Sequence, residues 1–164
     1  MIFVAPARPQ PAGTSLFLEI IMALKKVKIE IESLIEELDD NGLTADSDKT
    51  HSTADGVMRI SEGEARITYS ETDENGKTDS EILLLGKTVS VKRTGALKYE
   101  FVFREGEGTS AVYTVTPYSF DAEIYTRRIK SSLSESGGEV TLIYDMTLGG
   151  AKKKTKMTIR VSEK

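Results

Sequence analysis

From Val27 onwards the chain places an apolar residue at every second position. Val27, Ile29 and Ile31 alternate with Lys28, Glu30 and Glu32, and a period of two sends the two sets to opposite faces of a strand. One face is apolar and the other charged, as in an antiparallel sheet packed on one side. The LIEEL stretch also suits helical spacing over residues 33–38; continued strand is the reading adopted. Residues 39–55 (DDNGLTADSDKTHSTAD) are polar and rich in turn formers, which predicts a mobile loop with at most a short strand near its end.

Beyond that segment the sequence runs strand, turn, strand. VMRI, ARITYSET, SEILLL, TVSVKR, LKYEFVFR, AVYTVT, SFDAEIYTRRIKSSL, EVTLIYDMTL and KKTKMTIRVS are separated by the turn sequences SEGE, DENGKT, GK, TG, EGEG, SESGG and GGA. With the first strand these make about ten segments at the spacing of all-β sandwiches and barrels. Short connections make each strand pair with the next, and closing the sheet removes its two long edges. The prediction is a single all-β, up-and-down antiparallel barrel of about 8 to 10 strands.

Parity then assigns an inner face: Ile67 and Tyr69; Val89 and Val91; Leu97, Tyr99, Phe101 and Phe103; Tyr113 and Val115; Phe120, Ala122 and Ile124; Val140, Leu142, Tyr144, Met146 and Leu148; Met157, Ile159 and Val161. The inward phase is odd up to Val115 and even from Phe120. Pro117 lies in between, and a residue without an N–H belongs at a strand end or corner. A hairpin at TPYS accounts for both features. Thr126 keeps the even phase, whereas Ile129 and Leu133 return to odd, which predicts a bulge near Arg127.

Composition narrows the chemistry. The 164 residues suit one domain, the formal charge is -4, cysteine is absent and His51 is the single histidine. Thiol catalysis, disulfides, iron–sulfur clusters and cysteine/histidine zinc sites are thereby excluded, no cofactor is expected, and neither nucleic acid nor membrane is an expected partner. The chain suits a reducing, cytoplasmic setting. Residues 1–21 carry PARPQPAG and the start of the apolar run LFLEIIMAL. They read as a leader before a domain at residues 22–164, either a targeting segment or the product of a start upstream of Met22.

Several local signals fail on context. Gly106, Gly108 and Ala111 match a dinucleotide fingerprint, but strand rather than helix follows them. His51 with Asp46, Asp48 or Asp55 is too loosely spaced for a triad and reads as a solvent-facing loop residue. The acidic runs lack calcium-loop spacing. Lys152, Lys153, Lys154 and Lys156 read as guards on an exposed strand edge, or as a contact for an anionic partner.

The segment YTVTPYSFDAEIYTRRIKSSL, the EVTLIYDMTLGG that follows the SESGG turn and the closing KMTIRVS resemble the YwiB-like proteins, small bacterial proteins of unknown function. VKRTGALKYEFVFREGEGTSAVY and IEIESLIEE add to the likeness, which covers about residues 22–161. The resemblance implies a calycin-like barrel, related in shape to lipocalins and fatty-acid-binding proteins, and supplies no catalytic residues.

The resulting expectation is a non-enzymatic barrel that binds a small apolar or amphipathic ligand inside. Tyr69, Tyr99, Phe101, Tyr113, Phe120, Thr126 and Tyr144 are the candidate lining. Arg93, in phase with Val89 and Val91, is the one charge that parity sends inward and points to a carboxylate. The alternative is a protein-interaction module, for example a homodimer, using an outer sheet face or the lysine edge.

Overall fold

The computed structural model describes residues 24–164; the expectations for the leader lie outside the described residues. Ten strands follow in order: β1 (Leu24–Leu38), β2 (Thr44–Ser61), β3 (Glu64–Asp73), β4 (Gly76–Leu85), β5 (Thr88–Gly95), β6 (Leu97–Arg104), β7 (Gly108–Val115), β8 (Tyr118–Ser131), β9 (Gly137–Leu148) and β10 (Ala151–Glu163). Each pairs antiparallel with its successor, and β10 returns to β1 to close the barrel. No helix is present among the described residues, and LIEEL continues β1 as expected.

Closure overturns one expectation directly. β10 is no edge, because it pairs with β9 on one side and with β1 on the other, where Lys153 faces Glu37. The lysines therefore guard no free edge over most of their length.

The segment expected to be a loop is also different. Thr44 to Ser61 form one strand whose partners on β1 run from Leu38 back to Leu24. Backbone pairing with β1 supplies the hydrogen bonds that its polar side chains did not advertise. β3, however, meets β2 only from Gly56↔Tyr69 to Ser61↔Glu64. Residues 44–55 consequently have a neighbour on one side alone, and their exposed side chains carry a loop-like composition.

Two phase changes fall where parity put them. Thr116 and Pro117, joined by a cis peptide bond, form the turn between Val115 and Tyr118. The β8–β9 register shifts between Thr126 and Arg128. At this bulge Thr126 is fully buried and Ile129 packs on the core, leaving Arg127 and Arg128 both exposed.

The inner wall changes character along the barrel axis. Val27, Ile29, Met58, Ile67, Ile82, Val89, Phe103, Ile124, Leu142 and Ile159 fill the lower part and are almost wholly buried. Towards the upper end, where the β1–β2, β3–β4 and β5–β6 turns lie, inward positions become polar: Ser33, Thr78, Ser80 and Arg93. A barrel of this girth holds about enough side chains to fill itself, so short polar residues at one end leave space there.

Candidate functional site

That space is a cavity of about 510 Å³ opening between β2 and the β3–β4 and β5–β6 turns. Ile31 and Ser33 on β1, Glu71 on β3, Thr78 on β4, Arg93 on β5, Leu97 on β6, Tyr113 on β7 and Met157 on β10 line it, with residues 50–52 of β2 along one lip. The splaying of β2 from β3 above Gly56 makes the opening.

Arg93 reaches the cavity because β5 alternates Val89, Val91 and Arg93 towards the interior. In the register it lies between Ser80 and Tyr99. Nη2 donates to the Tyr69 hydroxyl at 3.3 Å, and Cζ lies 5.8 Å from the centre of the Tyr99 ring. Nε is buried and has no hydrogen-bond partner, and Arg93 forms no ion pair among the described residues. Burial pulls its pKa down, but Tyr99, Tyr69 and Glu71 more than offset that and hold it above the ordinary value, so the group enters the barrel charged. Arg93 is half-buried, and a partly desolvated cation whose one acidic neighbour, Glu71, forms no ion pair with it is costly unless something compensates it.

Beneath Arg93 the aromatic residues form a stack. Tyr99 lies 3.9 Å from Phe101 and 5.5 Å from Tyr113, centre to centre, and Phe103 approaches Tyr144 at 4.8 Å. Burial pushes the Tyr99 hydroxyl up to about 12 and raises that of Tyr144 further still.

Of the residues expected to line a ligand site, Arg93 and Tyr113 face the cavity. Tyr69 reaches it through its bond to Arg93, and Tyr99 supports both. Phe101, Tyr144 and Thr126 are core, at 5%, 4% and 0% exposure. Phe120 departs from expectation: it follows the inward parity, but β8 has only just begun there, so the ring stands at the rim, 42% exposed, over Gly149. Ser33, Glu71 and Thr78 belong to the lining and were not singled out beforehand, and Met157, placed on the inner face by parity, joins them. Ser33 was readable, since it continues the odd phase of Ile29 and Ile31 with a small polar residue. Nothing in the sequence indicated the lip on β2.

The rejected signals have their own places. His51 is on a strand, 2.7 Å from a Glu30 carboxylate oxygen, and none of Asp46, Asp48 or Asp55 bonds to it; Asp55 instead pairs with Lys164 at 3.0 Å. Gly106 lies in the turn before β7, a strand, so no helix terminus follows it.

Comparison with known proteins agrees with this fold. The crystal structure of the ywiB protein from Bacillus subtilis superposes with a TM-score of 0.76 at 24% identity, covering 87% of this chain and 94% of that one. The uncharacterized beta-barrel protein YwiB of Bacillus subtilis (strain 168) is 28% identical over 94 residues, which are 57% of this chain and 66% of the relative's own length. The family model described as a domain of unknown function, DUF1934, matches residues 29–160, and the chain belongs to that family.

Proposed function

We propose that the barrel is a binding protein for a small amphipathic carboxylate, whose anionic group pairs with Arg93 and whose apolar portion lies against Ile31, Leu97, Tyr113 and Met157. One observation carries this reading. A charged guanidinium is held inside the barrel, with Nε unpartnered, beside a cavity of about 510 Å³. Cavities of roughly 300–1,000 Å³ with a few fixed polar groups and an apolar wall are typical of small-molecule sites. A carboxylate would give the guanidinium its counter-charge through paired hydrogen bonds, and Glu71 at the mouth disfavours a ligand with a second negative charge.

The test compares decanoate with decanol, which share a chain and differ in the charged head. Titration followed by chemical shifts of Ser33, Thr78 and Tyr113 should show saturable binding of decanoate and at least tenfold weaker binding of decanol. Equal affinity, or binding of neither, would remove the carboxylate reading.

A second reading, protein contact, is favoured by the free side of β2. Residues 44–55 pair with β1 only, and an unpaired strand edge is a template for another strand. Concentration-dependent dimerisation, lost on Lys49→Pro, whose N–H points away from β1, would support it; a monomer at all concentrations, with no partner shifting these residues, would count against it.

A further inference from the structure

The outer wall carries a second feature that the cavity does not use. A depression of about 350 Å³ lies across β8, β9 and β10. Its lining holds Arg128, Lys130, Lys156 and Arg160, with Thr141, Ile143 and Thr158 between them and the carboxylate of Glu139 beside Arg160. Arg128 lies opposite Ile143, which lies opposite Lys156; Lys130 lies opposite Thr141, which lies opposite Thr158. Each such row crosses three strands, so its end residues stand roughly 10 Å apart, within reach of one tetrahedral anion by long side chains.

The charges in and beside this depression are unequally engaged. Arg160 is occupied by Glu139 at 3.0 Å and Glu32 at 3.2 Å. Arg127 is held by Asp145, Nε donating at 2.8 Å. Arg128, Lys130 and Lys156 form no ion pair among the described residues. Three cations without an ion-pair partner, two on β8 and one across β9 on β10, repel one another, and they do so on a chain whose net charge is -4.

The bulge accounts for the arrangement. In a regular strand Arg127 and Arg128 would point to opposite faces. The extra residue turns both outwards, so one neutralises Asp145 and the other is left free beside Lys130. Bulges re-aim side chains in this way next to functional sites. Thr158 is only 9% exposed although it lies on the outer face, between Thr141 of β9 and Glu32 of β1.

We infer that this depression is a phosphate site, taking a phosphate or phosphomonoester group between Arg128, Lys130 and Lys156, with the hydroxyls of Thr141 and Thr158 as further donors. The guanidinium fork and ammonium groups suit a tetrahedral oxyanion. The inference is independent of the ligand in the barrel.

The test is a titration with pyrophosphate at constant ionic strength, followed by amide shifts. Saturable shifts confined to the neighbourhood of Lys130, Thr141 and Thr158, at least tenfold weaker in Arg128→Ala/Lys130→Ala and unchanged in Lys92→Ala/Lys98→Ala, support the site. Shifts that are linear in concentration, spread over all lysines, or equally affected by the two double variants overturn it. Glycerol 3-phosphate and vesicles containing phosphatidic acid then distinguish the source of the group. Saturation by the soluble ester marks a free metabolite, and sedimentation with vesicles alone, abolished by Arg128→Ala/Lys130→Ala, marks a lipid headgroup. A response to neither overturns the assignment.

Discussion

Gly56 on β2 and Tyr69 on β3 are the last opposed pair of their ladder, and the backbone at Gly56 leaves no room for a side chain. A Cβ there would lie 2.7 Å from Ile29 Cδ1, 3.0 Å from Tyr69 Cβ and closer still to the Thr68 carbonyl oxygen. The close approach sits where β2 parts from β3 and the cavity mouth begins. Gly56→Ala must push backbone against backbone, an overpacking cost of about 2 kcal/mol. Thermal unfolding should shift down by roughly 4 to 8 °C for a domain of this size, with the β-type circular dichroism retained. An unchanged midpoint would mean that the strands separate more easily than their packing implies.

Replacing the interior cation separates its two roles. Arg93→Met keeps an apolar stem of similar length and removes a charge that forms no ion pair among the described residues, so the free protein should be as stable as before or more so. Loss of a charge-assisted hydrogen bond, about 1.5 to 3 kcal/mol, should weaken decanoate roughly ten- to hundredfold and leave decanol unaffected. Urea unfolding gives the first quantity and the titration the second. A strongly destabilised variant would make Arg93 a structural residue.

The tyrosines report on the same interior. The hydroxyl of Tyr99 is pushed up to about 12 by burial, and that of Tyr144 is raised by the same cause. Folding therefore favours their neutral forms. That contribution is fully present below the unfolded value near 10 and disappears as pH rises through the folded values. Ultraviolet titration of the native protein should show two of the six tyrosines ionising late, together with a fall in stability above pH 10. Replacing both by phenylalanine should remove the late phase.

What parity could and could not read follows from these same residues. Alternation identified β1 and the strands from β3 to β10 because each buries one face, and it located the Pro117 corner and the Arg127 bulge as changes of phase. It failed on residues 44–55, where Ala54 alone packs on the core and backbone pairing holds the rest of the strand. For Phe120 it gave the correct side but not the depth, since period two carries no information on how far along the barrel a residue stands. The cavity lining was partly hidden for a related reason. Apolar inward residues announce a core, whereas Ser33 and Thr78 are short polar residues whose meaning depends on the wall opposite.

The one-sided pairing of β2 has a direct signature in hydrogen exchange. In a strand with a single neighbour, alternate N–H groups point to that neighbour and to solvent. Over residues 44–55 protection should therefore alternate with period two, while β1 opposite, paired on both sides from Val27 to Glu37, is protected continuously. Uniformly fast exchange over 44–55 would return that segment to the loop that its composition suggests.

Thr126 offers the sharpest test of the buried wall. It is fully buried beside Tyr144 and next to the bulge, yet its hydroxyl has no hydrogen-bond partner. Its backbone is fully engaged: N–H donates to Glu107 at 3.2 Å, and the carbonyl accepts from Gly106 at 2.7 Å. Thr126→Val therefore leaves the backbone bonds and the shape in place and removes only an unsatisfied polar atom. Burying a hydroxyl without a partner costs about 1 to 3 kcal/mol, so the valine variant should gain about 1 kcal/mol, seen as a higher urea midpoint with an unchanged slope. Serine at the same position keeps the hydroxyl and deletes a methyl group, and should lose stability. If valine destabilised the protein by a similar amount, the hydroxyl would have to be bonded in solution, and the lower barrel would contain an ordered water rather than a dry apolar core.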